Sequence, residues 1–516
     1  MVLLGPGLPR ARENKKRFRT LASITGRLCV ADAASFATLL RMKRALSLCL
    51  VLAAPAAAQA PGGPIAAALA TAPAGTRFGL LVLDADGRER VAVHPDDRFM
   101  PASNTKIFTT ATAYATLGDL SLPDAGGGAS VRIDGRDVVL AGHGDARLSS
   151  AADCSVDCLA TLADAVAAKT RSVRDVIGDD SWFPDLRWSP GMSWNNIPTR
   201  SGTGVSALTL DDNELPVTVT PAASSGAAPV IAVAPYYTVE NAAMTVAGGA
   251  TAIGFDRAPN GRVLRITGTI ALGAKPLRER IGIDDPADYA AWTFRTLLRA
   301  RGVNVTGRIV VRHRPSGPAD DPARRGGAPA AHPPEPQALA RTVPLPLAGD
   351  VRITNKQSQN LHAELLLRRI GRVRGSGSIA DGQAEVRRVL AEAGVPRAAV
   401  DLSDGSGMST YNRVSPRGVV TLLRWIARQR WGAAWRETLP VGGADGTLAR
   451  RFAGTPLDHR LFAKTGSLNA TSALSGWLIA KSGRTLTFAL FANDIPDGAS
   501  ATPAMDAALE AVAAAN

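Results

Sequence analysis

The sequence predicts an α/β fold: an antiparallel sheet flanked by helices, assembled from both ends of the chain, with a β-rich module inserted between them. Three observations predict it. Strand-like pairs stand near both ends, helical runs lie between them, and residues 124–312 change to short strands separated by Gly- and Pro-rich turns.

Each element follows in order. Residues 42–60, "MKRALSLCLVLAAPAAAQA", place two basic residues, an apolar run and an A-x-A ending in succession, the pattern of a secretory signal peptide. The apolar run is short of the ~20 residues that span a bilayer. Residues 1–41 do not suit a position ahead of such a peptide and are expected to be an upstream extension from a start codon read too early. Cleavage after Ala60 is expected to deliver the chain to the periplasm without an integral membrane segment. Next, "FGLLVLD" and "RVAVH" alternate around the turn "ADGRE" as a hairpin. "FMPASNTKIFTTATAYATLG" reads as a buried helix, with Pro101 in the first turn, Ile107, Ala111 and Tyr114 on one face, and Gly118 at the end.

Residues 119–313 form the expected inserted β-rich module of one or two nested domains. Strands are read at "SVRID", "DVVLAG", "PVTVTP", "RVLRITGTIAL" and "GRIVVRH", and one helix at "DPADYAAWTFRTLLRARG". The Pro/Gly/Ala-rich tract 314–337 is expected to be an exposed linker. Helices resume at "NKQSQNLHAELLLRRIG", "AEVRRVLAEAG" and "RGVVTLLRWIARQR". Strands follow at "HRLFAKTGSL", "ALSGWLIAK" and "RTLTFALFAND", then a last helix, "AMDAALEAVAAA". Residues 61–118 with 338–516 thus make one domain around the insertion.

Bulk composition narrows the function. Of 516 residues, 46% are hydrophobic and 20% charged, which fits a globular chain. The formal net charge of +14 suggests nucleic acid, but residues 1–60 hold ten Lys/Arg against two acids. The remainder carries +6 and no basic run with interleaved aromatics, so no nucleic-acid partner is expected. Two cysteines follow the signal peptide, Cys154 and Cys158. In an exported protein a close pair favours a disulfide, with free thiols or half a metal site as the alternatives. The six histidines show no zinc spacing, and neither metal nor cofactor is expected.

Lysine usage points to the chemistry. Beyond residue 60 the arginine-rich chain has six lysines. A buried lysine can give up its proton near neutral pH, which arginine cannot. Three of the six fall in short polar stretches within apolar elements. Ser103 and Lys106 form an S-x-x-K one helical turn apart. Lys356 precedes Ser358-Gln359-Asn360, and Lys464 begins Lys464-Thr465-Gly466. Serine becomes a nucleophile when a neighbouring base takes its proton, and a desolvated lysine can be that base. Ser358 and Asn360 are expected to pass protons to a leaving amine and hold a substrate amide. Lys464 would meet a substrate carboxylate, and Thr465, Gly466 and Ser467 would line the substrate. The N–H groups of Ser103 and Ser467 are the expected oxyanion hole.

S-x-x-K, S-x-N and K-T-G in this order are the motif set of serine penicillin-binding enzymes. The 255 residues from Ser103 to Ser358, against 106 from Ser358 to Lys464, resemble the class C low-molecular-mass penicillin-binding proteins, the D-alanyl-D-alanine carboxypeptidase/endopeptidase family. "GHGDARLSS", "VSALTLDDNEL", "DGSGMSTYNRVSP" and "LFAKTGSL" extend the likeness across 78–495. The resemblance implies a transpeptidase/β-lactamase-like catalytic domain. It also implies an acyl-enzyme on Ser103 that cleaves peptidoglycan stem peptides or cross-links, with β-lactams as covalent inhibitors. The 314–337 tract and the cysteine pair depart from the family pattern. A β-lactamase or esterase with the same motifs, and a non-catalytic peptidoglycan-binding scaffold, are the alternatives. Oligomeric state is not legible. Because all three motifs lie outside the module, it is expected not to matter for acylation.

Overall fold

The computed structural model describes residues 63–329 and 332–516; the signal-peptide and upstream expectations fall outside them. One five-stranded antiparallel sheet runs in the order Leu461–Leu468, Thr471–Ile479, Thr485–Asn493, Arg77–Leu83, Glu89–Val93. Two strands come from one end of the chain and three from the other. Alternation divides their side chains between two layers. Leu80, Val82, Phe488 and Leu490 pack with Met505, Leu509 and Val512 of helix Thr502–Ala515. Leu81, Ala489 and Phe491 pack on the other side with Ile107 and Phe108 of helix Thr105–Thr116 and with helix Pro416–Ala427. Both faces of the central strands are covered, which explains their near-continuous burial.

The inserted residues build a second five-stranded sheet in the order Ile309–Arg314, Val176–Pro184, Asp137–Ala141, Ser130–Asp134, Ala340–Arg341. The last of these strands comes from beyond the Pro-rich tract, so the chain leaves this sheet after residue 341 rather than at 338. The module has two helices of this size, not one. Leu159–Lys169 joins Pro286–Ala300 against the sheet, burying Leu162, Val166, Phe294 and Leu298 in a common core. The sequence reading missed the first because its four buried residues occupy one narrow face of an otherwise Ala-rich run. Cys154 and Cys158 are joined, with Cα atoms 5.8 Å apart, and Cys158 is the residue ahead of this helix.

One reading is refined and another changes. The described residues of the tract 314–337 are mostly exposed, as expected, but tied down at points: Asp320 is buried and accepts from Arg314 at 2.8 Å, and Arg325 reaches Asp381 at 2.5 Å. A short 3₁₀ turn, Pro318–Asp320, lies within it, and paired arginines hold it against the body. The stretch 355–371 is two helices, Leu347–Lys356 and Asn360–Arg374. Ser358 stands in the break at φ 61°, a backbone region that non-glycine residues seldom adopt outside constrained sites.

Candidate active site

Pro101 leads a short turn, Ala102–Asn104, which tightens into helix Thr105–Thr116. The turn lies against the edge strand Leu461–Leu468. A Cβ at Gly466 would sit 2.6 Å from Pro101 O and 3.1 Å from Ser103 N. Gly466 therefore admits the turn that carries Ser103. Gly407, at φ 93°, does the same from the other side, where a Cβ would lie 1.9 Å from Ala102 O. Two glycines thus clamp the turn that presents Ser103.

Lys106 is fully buried. Its Nζ lies 2.8 Å from Ser103 Oγ, 2.7 Å from Asn360 Oδ1 and 2.6 Å from Ser406 O. Two of these oxygens can only accept. The Asn360 amide is fixed in this sense because its Nδ2 donates to Ser201 O at 3.0 Å. A neutral lysine offers two N–H donors and one lone pair, and the hydroxyl of Ser103 is the partner able to donate to that lone pair. Burial pulls the Lys106 pKa down to about 7, although Asp404 and Glu364 pull the other way.

Those two carboxylates were not singled out from the sequence. Glu364 Oε1 accepts from Gly405 N and Ser406 N, each at 2.9 Å. Asp404, also fully buried, accepts from Gly407 N at 3.0 Å, Ser409 N at 2.7 Å and Asn412 Nδ2 at 2.7 Å. Burial and the neighbouring Glu364 push its pKa up to about 6. Together they shape the glycine loop 404–412 so that Ser406 O meets Lys106. The signal was present in part: Glu364 follows Asn360 by one i,i+4 step, and "DGSG" begins with Asp404.

Asn360 has a role beyond the expected one. Besides the expected hold on a substrate amide it orients the base: Oδ1 accepts from Lys106 and one Nδ2 hydrogen donates to Ser201 O, which leaves the second Nδ2 hydrogen free. Ser201 belongs to the inserted module, which therefore does reach the site, against the expectation from motif positions.

Lys464 is buried too, 2.9 Å from Ser358 Oγ and 2.9 Å from Thr465 O. Burial and the nearby Lys106 hold its pKa well below the usual lysine range. Its Nζ stands behind Ser358, while the hydroxyls of Thr465 and Thr447, 2.7 Å apart, form the outer rim. Lys356 is not at the reaction centre. It pairs with Asp445 at 2.5 Å, and Asp445 holds Val441 N at 2.9 Å in the segment that carries Thr447.

The edge strand supplies a further donor. Ala463 N donates to Pro440 O and Gly442 N to Leu461 O, so odd-numbered residues of this strand direct their backbone groups outward. The register to its inner neighbour is continuous, and alternation carries the same direction to the N–H of Thr465 and Ser467, beyond the last outer partner. Ser467 directly follows Gly466, where a Cβ would lie 3.1 Å from Ser103 N. Among the described residues no cluster of ligating side chains could hold a metal ion.

Comparison with known proteins shows the family. The chain is 32% identical over 443 residues to the D-alanyl-D-alanine carboxypeptidase of Actinomadura sp. (strain R39), covering 81% of this chain and 78% of that one. It is 24% identical over 446 residues to the D-alanyl-D-alanine carboxypeptidase DacB of Haemophilus influenzae, covering 83% and 87%. The crystal structure of penicillin binding protein 4 (dacB) from Haemophilus influenzae shares the fold, with a TM-score of 0.73 at 21% identity over 87% of this chain and 98% of that one. The profile of the D-Ala-D-Ala carboxypeptidase 3 (S13) family matches residues 63–515, and the chain belongs to that family.

Proposed function

We propose that this chain, a serine-type D-Ala-D-Ala carboxypeptidase by family, works through an acyl-enzyme on Ser103 with Lys106 as the base. The carrying observation is the three-oxygen environment of the Lys106 Nζ, in which Ser103 alone can donate. The Oγ proton passes to Nζ as Oγ bonds to the carbonyl carbon of the penultimate D-Ala. The carbonyl oxygen becomes an oxyanion facing Ser103 N and Ser467 N, donors already in place before reaction. The tetrahedral centre collapses, the C–N bond breaks, and the terminal D-Ala nitrogen takes a proton by way of Ser358 Oγ, which Lys464 holds. Water then hydrolyses the ester and returns the proton to Ser103. No cofactor enters these steps.

The terminal carboxylate is read by the Thr465 and Thr447 hydroxyls, with the Lys464–Ser358 pair behind them. A cross-link presents a different leaving amine to the same acyl-enzyme, so endopeptidase action needs no further group. A β-lactam offers a strained amide with a similarly placed carboxylate and should remain attached to Ser103. Among the described residues no helix is long and apolar enough to cross a membrane. With the signal-peptide pattern of residues 42–60, this supports a periplasmic enzyme acting on peptidoglycan.

Incubation with defined muropeptides, followed by mass analysis, tests the reading. Free D-Ala from pentapeptides supports the carboxypeptidase and separated dimers the endopeptidase. Both should vanish in Ser103→Ala. Persistence of either product in that variant, or rapid β-lactam turnover without a lasting adduct, overturns the assignment.

A further inference from the structure

A cavity of about 250 Å³ lies away from Ser103, between the inserted module's sheet and the end of the Pro-rich tract. Its floor comes from strands Ser130–Asp134 and Val176–Pro184, its wall from residues 332–338, and one side from Arg372 near the end of helix Asn360–Arg374. Arg372 follows Asn360 by three i,i+4 steps, which sets the cavity ~18 Å along the helix from the catalytic asparagine contact.

The lining has cations with unspent donors. Arg372 lies flat over Trp182, 3.7 Å from the ring centroid, and donates to His332 Nδ1 at 2.8 Å. Its Nε is buried without a partner, and no carboxylate pairs with it among the described residues. Burial and nearby Arg314 lower its pKa to about 10. Arg314 is itself tied to Asp320 at 2.8 Å. Arg132 has only a loose contact with Asp179, at 3.9 Å. Both oxygens of an incoming carboxylate would suit these guanidinium groups.

The rest of the lining asks for donors. Asp179 and Glu335 face the same space with the Ser130 hydroxyl; Asp179 takes the Ser181 hydroxyl at 2.6 Å and Glu335 pairs with Arg341 and, at 3.2 Å, with His143, and each carboxylate keeps lone pairs for a further donor. A multiply charged anion would be repelled by these two acids. A single carboxylate on a molecule that also carries hydroxyl or amino donors meets both halves. We propose that this cavity is a second, non-catalytic ligand site that takes a small carboxylate bearing such donors, a sugar acid or an amino acid. The 314–337 tract then has a role: it supplies His332 and Glu335 and closes the pocket over the sheet.

Titration calorimetry on the mature enzyme tests this with four probes: N-acetylmuramic acid, D-alanine, N-acetylglucosamine and inorganic phosphate. Binding of one or both carboxylates, with neither N-acetylglucosamine nor phosphate matching them, is expected. A sugar-acid preference and an amino-acid preference distinguish the two sources. Arg372→Gln and, separately, Arg132→Gln should each weaken that binding by about tenfold, the loss of one charge-assisted contact, while D-Ala release persists. Retained release shows that a weakened variant is folded. The proposal fails if neither carboxylate binds, if phosphate binds as well as they do, or if both arginine variants bind at wild-type strength.

Discussion

Lys106 Nζ stands 2.8 Å from Ser103 Oγ, and of its three oxygen partners Ser103 is the one able to return a proton. This relationship separates a lysine that acts as a base from one that merely neutralises charge. It also makes the first prediction sharp.

Lys106→Arg keeps the positive charge and removes any accessible neutral form. Acylation of Ser103 by benzylpenicillin should slow by ~10²–10⁴-fold, the usual worth of a positioned base. Stopped intact-protein mass spectra measure the rate, and circular dichroism checks the fold. Wild-type acylation in this variant would remove lysine from the mechanism.

The pH profile should follow the base. With the Lys106 pKa lowered to about 7, kcat/KM for D-Ala release should rise through pH 7 and level off above it. Glu364 raises that pKa through its charge. Glu364→Gln preserves an oxygen for Gly405 N and Ser406 N but removes the charge, so the acid limb should move to lower pH. An unmoved or upward-shifted limb contradicts the electrostatic account.

Lys464→Met tests carboxylate recognition. The apolar chain fills the space but cannot donate to Ser358 or Thr465. Substrates ending in a free carboxylate should lose more kcat/KM than their amidated analogues, by about tenfold or more, the order of one lost charge interaction. Equal losses would assign Lys464 to proton transfer through Ser358 alone.

His362 predicts how stability depends on pH. It is buried, with Nε2 2.9 Å from Asp212 of the module and Nδ1 3.0 Å from Asp350 of the preceding helix. Burial opposes its charge, but hydrogen bonding to the two carboxylates wins and raises the pKa to about 9. A raised pKa contributes stability that is complete below the ordinary value of 6.5 and is lost as pH rises through about 9. Thermal melts should therefore decline over that window, and His362→Gln should melt lower at pH 6 with a flatter profile. A variant that declines as steeply as the parent places the titration elsewhere.

The sequence by itself determined the sheet built from both ends, the pairing of Ser103 with Lys106, and the order of the motifs. These rest on local regularities: period-two strands, one helical turn between Ser103 and Lys106, and six lysines in an arginine-rich chain. The tertiary structure alone decided which groups tune them. Asn360 reaches Lys106 across 254 positions, Ser406 across 300, and Ser201 reaches Asn360 across 159. The S-x-N motif marked Asn360 but not its contact with Lys106, and nothing local marks Ser201 O or Ser406 O, since a backbone carbonyl is present at every residue. Gly466 shows the same limit from the other side. The sequence marked it as part of K-T-G beside the substrate, but only the packed turn of Pro101 and Ser103 shows which atoms a side chain there would meet. The tied-down Pro-rich tract follows the same logic, because ion pairs such as Arg325–Asp381 need the fold to bring them together before they can hold it.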